Sequence, residues 1–308
     1  MKTLVTGATG AVGGHLAQAL LDRDFEVRAM VRDRAKAGDL EAAGCELHEG
    51  NVLEPDTLRG AGEGVDVAYY LVHGMGRGSD ADFVEREREA ASNFASLAKA
   101  EGVKRVVYLG GLGEDPGSEH LLSRHETAGT LRSEGPPLTY FRAAMLIGAE
   151  SESYRMLRQL VAKLPVMLAP RWLKTPTQPI ALEDAVEYLA AAPEVAASAG
   201  LEVQIGGPDV MSYGEMLDRM AVALGRDPRP KLPVPVLSPT LSSHWIGLVT
   251  DVDAGVAKPL IEGLSTETVV TDPSGARLFD IEPMGVDDAL ERAVAGELGR
   301  SAGRSPIG

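Results

Sequence analysis

Three glycines, Gly7, Gly10 and Gly13, stand at three-residue spacing in the stretch TGATGAVGG. An apolar run, TLVTG, precedes them, and Val12, Leu16, Ala19 and Leu20 then recur at helical period. A glycine turn between a strand and a helix can hold a pyrophosphate. Gly7 permits the tight turn off the strand, Gly10 lets the backbone approach the phosphates, and Gly13 lets helix and strand pack closely. Backbone N–H groups around Thr9, Ala11 and Val12 then face the anion, with the positive end of the helix dipole behind them. The second strand, FEVRAMV, ends at Arg32. Sites of this type usually place a carboxylate there to bond the ribose hydroxyls. A guanidinium instead forks onto a 2′-phosphate, so NADP(H) is favoured over NAD(H). Asp33 follows directly and weakens that preference. The competing readings are a glycine turn with no ligand and a solvated Arg32.

Such residues need a sheet to hold them. Strand-like runs alternate with amphipathic helices through the first half: TLVTG, FEVRAMV, CELHEG, VDVAYYLV, KRVVYLG and LTYFRAAMLIG, with a long helix from about Asp80 to Glu101. DRAKAGDLEAAG reads as one helix closing on Gly44, and PDTLRGAG as a short helix opened by Pro55. This alternation implies right-handed crossovers and a parallel sheet. In the second half a helix starts near Leu182, LEVQIGG is a strand, and SYGEMLDRMAVALG is a helix with Ser212 as N-cap and Glu215 completing a capping box. The proline-rich PRPKLPVPVLSP reads as a surface connection, and TLSSHWIGLVTDVDAGVAKPLIEGL as apolar helix. The expected fold class is α/β, a Rossmann-type doubly wound parallel sheet with a smaller C-terminal substrate lobe. The expected organisation is a dinucleotide-binding domain over residues 1–150, a smaller α/β lobe over 151–298 packed on it, and a flexible tail over 299–308.

Composition narrows the partners. The 308 residues hold 30 Lys and Arg against 45 Asp and Glu, a net charge of −15. That excess disfavours nucleic acid or an anionic membrane surface as the main partner. The single cysteine, Cys45, excludes an internal disulfide, suits a reducing cytoplasm and reads as a small core residue. No apolar run of about eighteen residues is present, so no membrane span is expected. Thr3, Thr6 and Gly7 break the N-terminal run, so no signal peptide is expected. Oligomeric state has no readable signature, and a homo-oligomer stays open.

TGATGAVGG, the arginine after the second strand and GVKRVVYLGGLG together resemble the atypical short-chain dehydrogenase/reductase superfamily, in particular its NAD(P)H-binding, NmrA-like and epimerase-like members. TQPIALEDAVEYL and IGGPDVMSYGEM extend the resemblance over about residues 1–220. The resemblance implies further cofactor contacts. Asn51 and Val52 would flank the adenine, with Asn51 standing where the family has Asp. Leu71, Val72 and His73 would line the nicotinamide ribose. Leu109, Gly110 and Gly111 match the end of the fifth strand, and Ala143 and Ala144 follow the sixth-strand arginine, Arg142. All fall at carboxyl ends of strands, where ligands of open sheets gather.

The resemblance also implies a proton relay of Ser or Thr, Tyr, and a Lys four residues after the Tyr. This chain departs from it throughout. Gly110 and Gly111 stand at the serine position, Leu121 at the tyrosine and His125 at the lysine. No tyrosine in the chain is followed four residues later by a lysine. His125 could donate a proton or bond the ribose, and His73 could face the nicotinamide. For each, the competing reading is a histidine that transfers no proton. Apolar stretches in the second half suggest a substrate pocket, with Met145, Trp172 and Trp245 as candidate contacts; ordinary core is the alternative. No metal site is expected. Two functions follow. One is an NADP(H)-dependent oxidoreductase reducing a small apolar carbonyl, enone or quinone-type substrate with a non-standard proton donor. The other is a non-catalytic NADP(H)-binding sensor or scaffold of the NmrA-like type.

Overall fold

The computed structural model describes residues 1–72, 80–113, 119–169, 171–233 and 264–303. Strands β1 (Lys2–Thr6), β2 (Glu26–Val31), β3 (Glu46–Glu49), β4 (Val67–Tyr70), β5 (Arg105–Gly111) and β6 (Leu138–Ala143) are joined by helices. These include α1 (Ala11–Leu21), the short α2 (Gly38–Ala42), α3 (Asp80–Ala100) and α4 (Glu119–Glu134). Beyond β6 come β7 (Leu146–Ile147), α5 (Glu152–Lys163), β8 (Met167–Ala169), β9 (Pro176–Thr177), β10 (Ile180–Ala181) and α6 (Leu182–Ala191). Then follow β11 (Glu202–Ile205), β12 (Met211–Ser212), α7 (Tyr213–Ala223), β13 (Lys231–Pro233) and α8 (Val286–Gly303).

Seven strands form one parallel sheet in the order β11-β6-β5-β4-β1-β2-β3. The chain leaves β1 for β2 and β3 on one side and returns to β4 on the other. This reversal puts the topological switch point between β1 and β4, where ligands of doubly wound sheets bind. Helices cover both faces, so the strands are continuous apolar runs; all six residues of β6 are buried. Alternation sorts their side chains. Val5, Tyr69, Val107 and Phe141 pack with α1 and α6 in one cluster, and Leu4, Tyr70, Tyr108 and Tyr140 with α3 and α4 in another. A third cluster gathers Tyr154 and Leu157 of α5, Trp172, Met216 and Leu217 of α7, and Leu290 of α8.

Three sequence expectations change in detail. DRAKAGDLEAAG is not one helix: Asp33 accepts a hydrogen bond from Ala35 N–H at 3.0 Å, starting a tight 3₁₀ turn at Arg34–Lys36 before α2. A single cut at residue 150 does not separate two contiguous lobes. Residues of α6 pack on α1, and β11 extends the main sheet beside β6, with Gln204 opposite Arg142. The cause is burial: Val203 and Ile205 alternate inward and are fully covered. The final helix runs to Gly303, into the stretch 299–308 expected as tail. Residues 240–263 of the apolar segment expected as helix lie outside the described residues. No helix among the described residues is long and apolar enough to cross a membrane.

Candidate cofactor and substrate site

The site begins where β1 ends. Gly7 adopts φ +68°, and a Cβ on it would lie 2.5 Å from the Leu71 carbonyl oxygen at the end of β4. A Cβ on Gly13 would lie 2.2 Å from the Gly7 carbonyl oxygen. Neither position admits a side chain, so the close approach of β1, β4 and α1 rests on glycine. Gly10 donates to the Gly7 carbonyl at 2.9 Å and is the N-cap of α1. It brings no side chain to the first-turn N–H groups, and no acidic residue stands in that turn. An uncapped helix start at the switch point suits a pyrophosphate.

A cavity of about 490 Å³ opens beside this turn. Gly7, Gly10, Ala11, Val12 and Gly13 form one wall. Leu71, Leu109, Gly110 and Gly111, with Ala143, Ala144 and Met145, form the wall made by the strand ends. Leu182, Met156, Leu264 and Tyr213 close it from the second-half elements. The structure thus brings together most of the cofactor residues expected from sequence, and Met145 among the substrate candidates. The lining is chiefly apolar, with Arg124, Glu150, Ser151, Glu152, Ser153 and Thr268 as polar exceptions. The Ser151 and Ser153 hydroxyls bond each other at 2.9 Å, and Glu150 faces His15 at 3.4 Å.

Other expected residues lie elsewhere. Thr9, Arg32, Asn51, Val52 and Val72 do not line this cavity. Arg32 is exposed at the carboxyl end of β2. Its neighbour Asp33 is held by Ala35 N–H and by Lys36 at 3.1 Å, and the Lys36 ammonium, aided by that N–H, keeps its carboxyl below the usual range. Asn51 closes a local turn: its Oδ1 accepts from Leu53 N–H at 3.2 Å and its Nδ2 donates to Glu54 at 2.7 Å. Val52 is buried in the α3/α4 cluster, and its carbonyl accepts from Asn93. His73 and Trp245 lie outside the described residues.

His125, expected to stand in the site, does not line the cavity. Its Nε2 lies 3.0 Å from the Gly113 carbonyl oxygen, and its ring meets Tyr140 edge-on. Arg142 shares this cluster. It donates to the Gly111 and Gly113 carbonyls at 3.2 and 2.8 Å and to Glu202 at 2.6 Å, and its Nη2 lies 3.3 Å from His125 Nε2. The α4 side chains that reach the cavity are Leu121 and Arg124. The physical reason is a competition for the ring: the carbonyl-lined loop after β5 takes His125 away from the cavity. Space for the relay's serine is also filled. A Cβ on Gly110 would lie 2.7 Å from the Tyr140 hydroxyl, and one on Gly111 2.6 Å from the Leu121 side chain. Trp172 is likewise outside the cavity lining; it packs edge-on against Tyr213 with centroids 6.3 Å apart.

Sequence reasoning missed Tyr213 and Thr268. Tyr213 is buried and lines the cavity, with the Thr268 and Thr177 side chains beside it. Thr268 in turn donates to Thr177 at 2.9 Å. Burial raises the Tyr213 pKa, and the neighbouring Thr268 and Thr177 hydroxyls oppose that rise. One signal was available: the capping box of Ser212 and Glu215, both of whose bonds form, fixes Tyr213 as the first residue of α7.

Residues 7–159 match the family described as NAD(P)H-binding. An NAD(P)H azoreductase of Xenophilus azovorans is 26% identical over 237 residues, 73% of this chain and 75% of its own length. The triphenylmethane reductase of Citrobacter sp. superposes with a TM-score of 0.76 at 18% identity, over 96% of this chain and 100% of that one. In its complex with NADP(H) the TM-score is 0.73. The NADPH-dependent quinone oxidoreductase of Escherichia coli gives 0.71 at 18% identity, over 94% and 98% of the two chains. Such identities speak for the fold. Residues 7–159 therefore belong to the NAD(P)H-binding family, on the Rossmann-type fold shared by the atypical short-chain dehydrogenases/reductases and epimerases.

Proposed function

We propose that the chain is an NADP(H)-dependent oxidoreductase that reduces a flat, apolar, conjugated acceptor of the quinone, enone or azo kind. The observation that carries this reading is the apolar cavity of about 490 Å³, which runs from the glycine turn to Met145, Met156 and Leu264. The glycine turn supplies backbone N–H groups for the pyrophosphate. The 2′-phosphate end is assigned to Arg32, because Asp33 is already engaged by Ala35 and Lys36. Leu71, Leu109 and Gly110, which line the cavity, are assigned to the nicotinamide end. Bound there, reduced nicotinamide supplies a hydride. Acceptor reduction needs that hydride, carrying two electrons, and one proton. Leu182, Leu264 and Met156 cover the acceptor and exclude water. The azoreductase relative and the triphenylmethane and quinone reductase folds favour acceptors of this chemistry. Residence in the cytoplasm fits the lone buried Cys45.

The test is oxidation of NADPH by the purified chain against menadione, an azo dye and an enone. Turnover with at least one acceptor, faster with NADPH than with NADH, is expected; none with any of them would end the reading. A second reading, a non-catalytic NADP(H)-binding sensor or scaffold, is favoured by Gly110 and Leu121 at two positions of the relay. It predicts cofactor binding without turnover, and a partner that distinguishes NADP⁺ from NADPH.

A further inference from the structure

We infer that Tyr213 is the hydrogen-bond donor to the acceptor oxygen of a quinone-type substrate, standing in for the missing relay from the opposite wall of the cavity. The inference rests on the oxidoreductase reading and specifies its site. Of the seven tyrosines in the chain, Tyr213 is the one that lines the cavity. The others are committed to cores: Tyr70, Tyr108 and Tyr140 pack together beneath α3 and α4, Tyr69 donates to the Leu189 carbonyl, and Tyr154 of α5 and Tyr188 of α6 are buried.

Three separate segments converge on Tyr213. The capping box sets its backbone, and its N–H donates to the Thr175 carbonyl at 3.3 Å. Strand β12 pairs with β9, which carries Thr177, and Thr177 bridges to Thr268 on the returning chain. Trp172 braces the ring from its edge. The result is a cluster of three buried hydroxyls in a wall whose other members are apolar, with Tyr213 and Thr268 both facing the cavity. A rigidly held donor costs little reorganisation when charge develops on a bound oxygen. Because burial holds the phenol in its protonated form, it remains a donor across the physiological range.

Menadione is titrated into the chain saturated with NADP⁺, which has no hydride to give, for wild type and Tyr213→Phe. NADPH oxidation by menadione is measured in parallel. The expected results are menadione binding weakened about tenfold, kcat lowered about 100-fold, and NADP⁺ affinity unchanged in a chain that still folds. Thr268→Val, which keeps the side-chain shape, is expected to move both readouts the same way by a smaller factor. Undiminished menadione binding in Tyr213→Phe overturns the inference, as does a wild-type chain that binds no menadione. If Tyr213→Phe does not fold, Thr268→Val decides by the same criterion. Tyr213-dependent menadione binding without NADPH oxidation supports the inference while removing the reductase reading.

Discussion

Arg32 and Asp33 stand side by side at the end of β2, yet local bonding gives them different tasks. Asp33 spends its carboxylate on the Ala35 N–H and the Lys36 ammonium. A carboxylate so occupied competes poorly for ribose hydroxyls, whereas Arg32 is exposed. If the chain prefers NADP(H), as proposed, the guanidinium is the group that would make the distinction. Arg32→Ala is expected to weaken NADPH binding about tenfold, in line with a charge-assisted bond, and to leave NADH binding nearly unchanged. Titration calorimetry with both nucleotides checks it; an equal effect on both would remove Arg32 from the 2′-phosphate.

At the scale of elements, Arg142 joins three of them. From β6 its guanidinium reaches the carbonyls of Gly111 and Gly113 at the end of β5, the ring of His125 on α4 and Glu202 on β11. Only 4% of its side chain is exposed, while Glu202 is 37% exposed and can be resolvated. Arg142→Met thus removes a buried donor from the Gly111 and Gly113 carbonyls, the latter keeping the His125 ring beside it, and is expected to cost about 2 kcal/mol in urea unfolding. It should also weaken cofactor binding, because Gly111 lines the cavity. A loss below about 0.5 kcal/mol would mean that the clamp is not structural. This clamp shows what a linear chain reveals and what it hides. The glycine turn, the strand runs and the Ser212–Glu215 cap were legible because each is settled by neighbours a few residues apart. The place of His125 was not, since it depends on a carbonyl in another element and on an arginine 17 residues away in sequence. Tyr213 stayed hidden for a similar reason: its role rests on the long-range bridge between Thr177 and Thr268. The membership of β11 in the main sheet is also a choice among partners, which periodicity alone does not make.

Across the whole molecule, burial has an electrostatic signature. All seven tyrosines have pKa values raised above the ordinary 10.0, with desolvation the leading cause; Tyr108 and Tyr154 are pushed up to about 12. The folded chain therefore holds these protons more tightly than the unfolded one. Their contribution to stability is complete below about pH 10 and is lost as pH climbs through the folded values. Tyrosinate absorbance near 295 nm should accordingly stay low past pH 10 and then appear together with loss of the circular dichroism of the fold. A gradual rise centred on pH 10 in a still-folded chain would show that the tyrosines are solvated. At the same scale, the glycine turn matters only if the sheet's switch point delivers a cofactor to the cavity. The most direct measurement is titration calorimetry of NADPH into the wild-type chain and into Gly10→Val. Gly10 has φ −85°, and an added Cβ would meet only the Gly7 carbonyl oxygen, at 3.2 Å. The variant should fold and yet block the phosphates. Saturable binding by the wild type is expected, and its loss in folded Gly10→Val; no heat in the wild type, or equal binding in both, would mean that the turn holds no pyrophosphate.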